Sequence, residues 1–250
     1  MAMELNLLDE LLGASRTKHL RYFGEGRFRG GVVRSFKVLL SPRTGSPVNR
    51  IRQIRASYDS QKVGVRLPKR SRLPRDFVRL EPWETEYLYS LARQSILGVV
   101  ETGRFRGGST LVLAAAAPNV PVWSIDINPQ DDVALRLLMS ELRVGHNVNL
   151  IVDDSTCDVP GVGSFDLLFI DGDHSLEGCS GDIERWWPRL APGGNMVLHD
   201  CYLGCEVLDA VSAFLRKEPS SEVVVGMVNG RSHFRSSSGS ICHIRKSSSA

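Results

Sequence analysis

The 250-residue sequence has no C-x-x-C pair, and its five cysteines (Cys157, Cys179, Cys201, Cys205 and Cys242) fall at irregular spacing. That excludes a zinc ribbon or a disulfide framework. Long apolar runs are also missing. The longest, Leu111 to Ala117, is far short of the roughly 20 residues that span a bilayer. The first ten residues carry Glu4, Asp9 and Glu10 where a secretory signal has basic residues, and no apolar stretch follows. There is no internal repeat. The stretch 50–79 is rich in arginine but lacks the interleaved aromatics that stack nucleic-acid bases. These absences describe a soluble, cytoplasmic protein with no membrane span.

With 42% hydrophobic and 24% charged residues, the chain has the composition of a globular protein with a sizeable core. Its net charge of +3 conceals an asymmetry: residues 1–80 hold 18 Lys+Arg against 6 Asp+Glu, and residues 81–250 hold 13 against 22. A basic leader on an acidic body suits a contact with phosphate, acidic lipid or glycan, or docking on its own domain.

The leader is weakly patterned. Leu5, Leu8 and Leu12 predict a short amphipathic helix over 4–13, and residues 21–79 read as loops with short elements. From Glu81 a helix begins, with Pro82 at its first turn, and strands and helices then alternate. Strands are predicted over 96–101, 120–127, 148–152, 165–170, 195–199, 223–228 and 240–245. Helices are predicted over 108–117, 131–144, 175–190 and 206–217. The pattern predicts an α/β fold with a doubly wound, mostly parallel, seven-stranded sheet. The expected organisation is a basic appendage at 1–80, a domain at 81–246 and a Ser-rich tail at 247–250.

Ligands of such sheets bind outside the carboxyl ends of the strands. The five strand ends there read E-T-G-R-F-R-G-G-S-T (101–110), D-I-N-P (126–129), V-D-D-S (152–155), I-D-G-D-H-S (170–175) and L-H-D-C (198–201). The first is glycine-rich, but Phe105 occupies the middle position of a G-x-G-x-x-G fingerprint, which argues against a dinucleotide pyrophosphate. Asp126 lies at the interval from Gly103 where an acid meets ribose hydroxyls. Acids or hydroxyls at five consecutive strand ends are hard to obtain from loop composition alone.

Across about residues 81–246 this set resembles the class I S-adenosylmethionine-dependent methyltransferases. It is most similar to the branch with the cephalosporin-hydroxylase-like and macrolide-sugar O-methyltransferases. The resemblance implies that Glu101 and Gly103 contact the methionine part of S-adenosylmethionine and that Gly107, Ser109 and Thr110 close the loop around its carboxylate. Asp126 takes the ribose, and Asp154 and Ser155 border the adenine. It also implies Mg2+ held by Asp171, Asp200 and His199, with His199 standing where relatives carry a carboxylate. Asp171 is equally suited to bond the cofactor directly. Asp173 and His174 are the candidate bases beside Asp171, although His174 is also placed to cap the helix starting at Ser175. Cys201 and Cys205 are expected to be structural.

The implied activity is methyl transfer to a hydroxyl of a small molecule, a sugar or natural product; relatives often associate through such appendages, which leaves a homo-oligomer open. Part of the leader is expected to act as a lid. D-G-D-H at 171–174 replaces the Asn/Asp-P-P-Tyr/Phe loop of enzymes that methylate nucleic-acid amines, which argues against that substrate. Two other readings stay open: a nucleic-acid-binding or nucleic-acid-modifying protein using the basic leader, and a catalytically silent relative that binds the cofactor.

Overall fold

The structure is a computed structural model that describes residues 77–202, 204–225, 227–228, 231–232 and 241–248. The predicted helix over 4–13, the lid and nearly all of the basic leader lie outside these residues. The elements are α1 (Pro82–Ala92), β1 (Val99–Thr102), α2 (Gly108–Ala116), β2 (Val122–Asp126), α3 (Asp132–Glu141), β3 (Val148–Val152) and β4 (Phe165–Ile170). They continue with α4 (Leu176–Trp186), β5 (Leu190–Leu198), α5 (Glu206–Lys217), β6 (Glu222–Val225), β7 (Met227–Val228), β8 (Arg231–Ser232) and β9 (Cys242–Arg245).

One sheet of seven strands has the order β3-β2-β1-β4-β5-β9-β6. β1 to β5 pair in parallel, and β9 is antiparallel to both β5 and β6. The doubly wound, mostly parallel sheet read from the sequence is therefore present. Alternation along each strand sends side chains to opposite faces. Val99, Leu167, Phe169 and Val197 join one buried cluster with Leu88, Leu111 and Leu135 from α1, α2 and α3. Val100, Ile125, Leu168 and Met196 join the other with Ile183, Trp186 and Phe214 from α4 and α5. The first cluster also takes Val78 and Leu80, so packing starts upstream of the boundary drawn at residue 81.

Several bounds differ from the sequence reading. Ile96 and Leu97, expected in the first strand, are exposed and precede β1. The backbone there is held off the sheet by Asp166, which accepts from the Ile96 N–H at 2.9 Å and from the Ser95 hydroxyl. The helix predicted to reach residue 190 ends at Trp186 and tightens into a 3-10 turn over Trp187–Arg189, with Pro188 inside it. The strand predicted over 223–228 divides into β6 and the short β7, which pairs with β8 instead of joining the main sheet.

At the amino-end edge of the sheet, a cavity of about 410 Å³ is bordered by Tyr87, Asn195 and His243. His243 is buried with Nδ1 at 2.5 Å from the Tyr87 hydroxyl and Nε2 at 2.9 Å from Asn195 Oδ1. Assigned from these partners, Nε2–H donates to the Asn195 oxygen and Nδ1 accepts from Tyr87, so the ring is neutral. Burial, helped by the positive charge of Arg245, pushes the His243 pKa from 6.5 down to about 3. A histidine buried neutral stabilises the fold above its unfolded pKa, and that stability is lost as pH falls from about 6.5 toward 3. Thermal melts over this window should show wild type losing stability more steeply than His243→Gln. Parallel curves would exclude His243 as the acid-sensitive group.

Candidate functional site

The turn after β1 is shaped by two glycines in the left-handed region, Gly103 at φ +80° and Gly107 at φ +82°. A Cβ on Gly103 would be driven into the backbone carbonyl of Asp171, and one on Gly107 into the Leu135 side chain. Gly103 thus lets the ends of β1 and β4 touch. Between the two glycines, Phe105 adopts φ +51° and is 40% exposed, a rare conformation for an aromatic residue. Its ring lies under two guanidinium groups, with Arg79 at 5.5 Å and Arg106 at 5.3 Å from the centroid.

Asp126, at the end of β2, holds this loop. Its Oδ2 accepts from the N–H groups of Arg104 and Phe105, each at 2.8 Å, and its Oδ1 accepts from Asn128 N–H at 2.7 Å. Arg104 is itself buried, with a two-pronged ion pair to Asp132 at 2.8 and 2.7 Å and donations to the carbonyls of Ser124 and Ile151.

Beneath the loop, Glu101 is fully buried, and its Oε2 accepts from the hydroxyls of Thr110 and Ser124, both at 2.6 Å. Its Oε1 has no hydrogen-bond partner among the described residues. Burial pushes the Glu101 carboxyl up, opposed by the hydroxyls of Ser109, Ser124 and Thr110. The side chains of Glu101, Ser109 and Thr110 are therefore buried next to one another.

At the ends of β4 and β5, Asp171, His174, His199 and Asp200 converge. His199 is buried, with Nε2 3.1 Å from Glu84 Oε2 and Nδ1 3.1 Å from Asp171 Oδ1 and 3.4 Å from Asp200 Oδ2. Burial opposes a charge on this ring, but the facing carboxylates of Asp171 and Glu84 outweigh it and raise its pKa well above 6.5. For Asp171, burial is likewise outweighed by the His199 charge and by hydrogen bonds from His174 and His199, and its carboxyl is held down. His174 Nε2 lies 3.4 Å from Asp171 Oδ1 and its Nδ1 3.7 Å from Asp200 Oδ2. A hydrogen bond with Asp171 raises its pKa, against partial burial. Asp200 adopts φ +51°, strain of a kind that gathers at functional sites.

Other predicted site residues turn elsewhere. Both oxygens of Asp173 are used at 2.9 Å by the backbone N–H and hydroxyl of Ser175, and Ser175 itself caps α4. Helix capping is therefore done by Ser175 and not by His174. Asp154 closes a turn on Thr156. Ser155 points inward, donating at 2.6 Å to the buried Asp182, which also accepts from Thr102 at 2.7 Å. Cys201 is buried, and the Cys205 sulfur caps α5 by accepting from Leu208 N–H. Sequence reasoning missed Glu84, Arg104, Asp132 and Asp182. Glu84 is one of several acids at a helix start, and no local pattern ties any of the four to residues far along the chain.

Among the described residues, the side chains able to meet on one ion are Asp171, His174 and Asp200, with ligating atoms within 4.8 Å of one another. His199 is not in that set, and its two nitrogens face Glu84 on one side and Asp171 and Asp200 on the other. Mg2+ prefers near-octahedral oxygen donors. A trio with one imidazole, whose carboxylates are already engaged by a raised-pKa histidine, does not fit Mg2+.

Residues 100–201 match the family model of a methyltransferase domain. The fold is the Rossmann-like methyltransferase fold. A methyltransferase of Podospora anserina, solved with S-adenosylhomocysteine bound, superposes with TM-score 0.53 at 18% identity, covering 83% of this chain and 98% of its own. A precorrin-6y C5,15-methyltransferase of Geobacter metallireducens gives 0.53 at 19% identity, covering 68% of this chain and 90% of its own. A methyltransferase-like protein of Streptococcus mutans, in complex with S-adenosylhomocysteine, gives 0.51 at 17% identity, with 63% and 94% covered. No curated protein matches the chain. No helix among the described residues is long and apolar enough to cross a membrane.

Gly103→Ala should destabilise the protein by more than the roughly 1–3 kcal/mol of a left-handed non-glycine residue, because its Cβ also meets the Asp171 backbone. Gly161→Ala is the control, since Gly161 has the same φ sign at +82° with nothing within 4 Å. Urea midpoints for the two variants separate strain from close approach. Equal losses would show that the β1–β4 contact tolerates a methyl group.

Proposed function

We propose that the protein is an S-adenosylmethionine-dependent O-methyltransferase acting on a hydroxyl of a small molecule of the sugar or natural-product class. The observation that carries this reading is Glu101 Oε1, a buried carboxylate oxygen below a glycine loop that has no hydrogen-bond partner among the described residues. It lies within the stretch that matches a methyltransferase domain. An unpartnered buried carboxylate oxygen is costly unless a ligand donor, such as an ammonium group, completes it. The sugar or natural-product acceptor follows from the resemblance of I-D-G-D-H-S and L-H-D to the macrolide-sugar branch.

Held below the glycine loop, S-adenosylmethionine would supply an electrophilic methyl group for transfer to the acceptor oxygen. The chain's residues hold the acceptor in line and receive its proton. His174 is the best-placed acceptor of that proton. It is 48% exposed on its side chain and is oriented by Asp171. Asp173, with both oxygens committed to Ser175, fixes the turn that presents His174. Asp126 supports the glycine loop and offers its remaining lone pair to the ribose.

S-adenosylhomocysteine should raise the melting temperature and NAD should not. Asp126→Ala should weaken that binding about tenfold or more, since hydrogen bonds to a charged acceptor contribute about 1.5–3 kcal/mol each. His174→Ala should abolish turnover on a panel of sugar hydroxyl acceptors while leaving S-adenosylhomocysteine binding intact. Equal stabilisation by NAD would overturn the assignment.

A further inference from the structure

The cavity of about 410 Å³ lies at the amino ends of the parallel strands, the far end of the sheet from the candidate site. Asp166 on its border and Asp171 at the candidate site stand at the two ends of β4, so about 16 Å of strand separates the two places. The volume falls within the roughly 300–1,000 Å³ of small-molecule pockets. One side of the border is apolar, with Leu91 from α1, Leu97 and Pro192. Leu97 and Ile96 are held at the mouth because both oxygens of Asp166 are taken by the turn that carries them.

The other side presents hydrogen-bond donors. Asn195 on β5 and Arg245 on β9 pair directly across the antiparallel ladder, so they share one face of the sheet with Cβ atoms about 5 Å apart. The Asn195 side-chain oxygen accepts from His243 Nε2 at 2.9 Å, and its amide NH2 group has no acceptor among the described residues. Arg245 donates from Nη1 to Glu222 Oε2 at 3.2 Å, an exposed pair whose acid does not border the cavity. The rest of the guanidinium keeps its donors. An amide and a guanidinium side by side match the two oxygens of a carboxylate. Asp166 is two strands away from Arg245 in the order β4-β5-β9, about 10 Å, and does not oppose an anion held there.

We propose that this cavity is a second small-molecule site, which takes a compound with a short apolar body and one carboxylate. Asn195 and Arg245 hold the carboxylate, and the body lies against Leu91, Leu97 and Pro192. The site is independent of the methyl-transfer reading, since it uses neither the glycine loop nor the residues around Asp171.

The test uses the full chain with phenylacetate as the probe. Phenylacetamide and 2-phenylethylamine serve as its neutral and cationic counterparts. Calorimetric titration should show phenylacetate binding at one site, the amide at least about tenfold more weakly, and the amine not at all. In spectra of histidine-labelled protein, phenylacetate should shift the His243 ring and leave His174 unmoved. Arg245→Gln should weaken phenylacetate at least about tenfold, and Ala191→Phe, which fills the cavity from its border, should abolish binding. The proposal is overturned if phenylacetate does not saturate a site, if the amine binds as well, or if either variant folds and binds like wild type. It is also overturned if S-adenosylhomocysteine displaces the probe, because phenylacetate would then occupy the cofactor site. Should one variant fail to fold, the other variant, the probe series and the His243 shift still decide. Failure of S-adenosylhomocysteine itself to bind would count against methyl transfer and not against this cavity.

Discussion

The buried guanidinium of Arg104 is the tie on which the candidate site depends. Four of its donors reach Asp132 at the start of α3 and the carbonyls of Ser124 on β2 and Ile151 on β3. One side chain from the glycine loop therefore joins three strand ends and the next helix. Burying a guanidinium is costly unless nearly every donor finds a partner in good geometry, and here the fold supplies them. With the loop pinned from below by Arg104 and from the side by Asp126, Phe105 can be held in a left-handed conformation that it would not adopt alone.

Charge balance organises the other half of the site in the same way. Glu84, Asp171 and Asp200 are three carboxylates that face one buried ring. Because Glu84 is also part of the cap of α1, the helix cannot shift without disturbing His199. The first helix of the described chain is in this way coupled to the ends of β4 and β5.

Much of this was legible in the sequence. The alternation of strand and helix gave the sheet, and the acids at strand ends located Asp126, Asp171 and Asp200, because both signals are local. What failed was non-local. Glu84 and His199 are 115 residues apart in sequence, and an acid three residues into a helix carries no mark of whether it only caps. Ser155 could be placed at a strand end, but not its turn inward to Asp182, since that depends on the register of α4 against β3. Ile96 and Leu97 read as strand because they are apolar. Their exposure follows from the hold of Asp166 on the preceding turn, which no periodicity reveals.

The position of β9 has a consequence for how the protein comes to be folded. It follows β6 in the chain yet lies between β5 and β6 in the sheet. While the polypeptide emerges from the ribosome, β6 is made first but has no edge to join, because the strand it pairs with does not yet exist. The half of the sheet from β1 to β5 has its native partners in order of synthesis, whereas the native pairings of β6 wait until β9 has been made. Such late, non-local pairing is slow, and it leaves the edge of β5 open in the interval. That edge is where a nascent chain would be most exposed to mispairing with a neighbour on the same message.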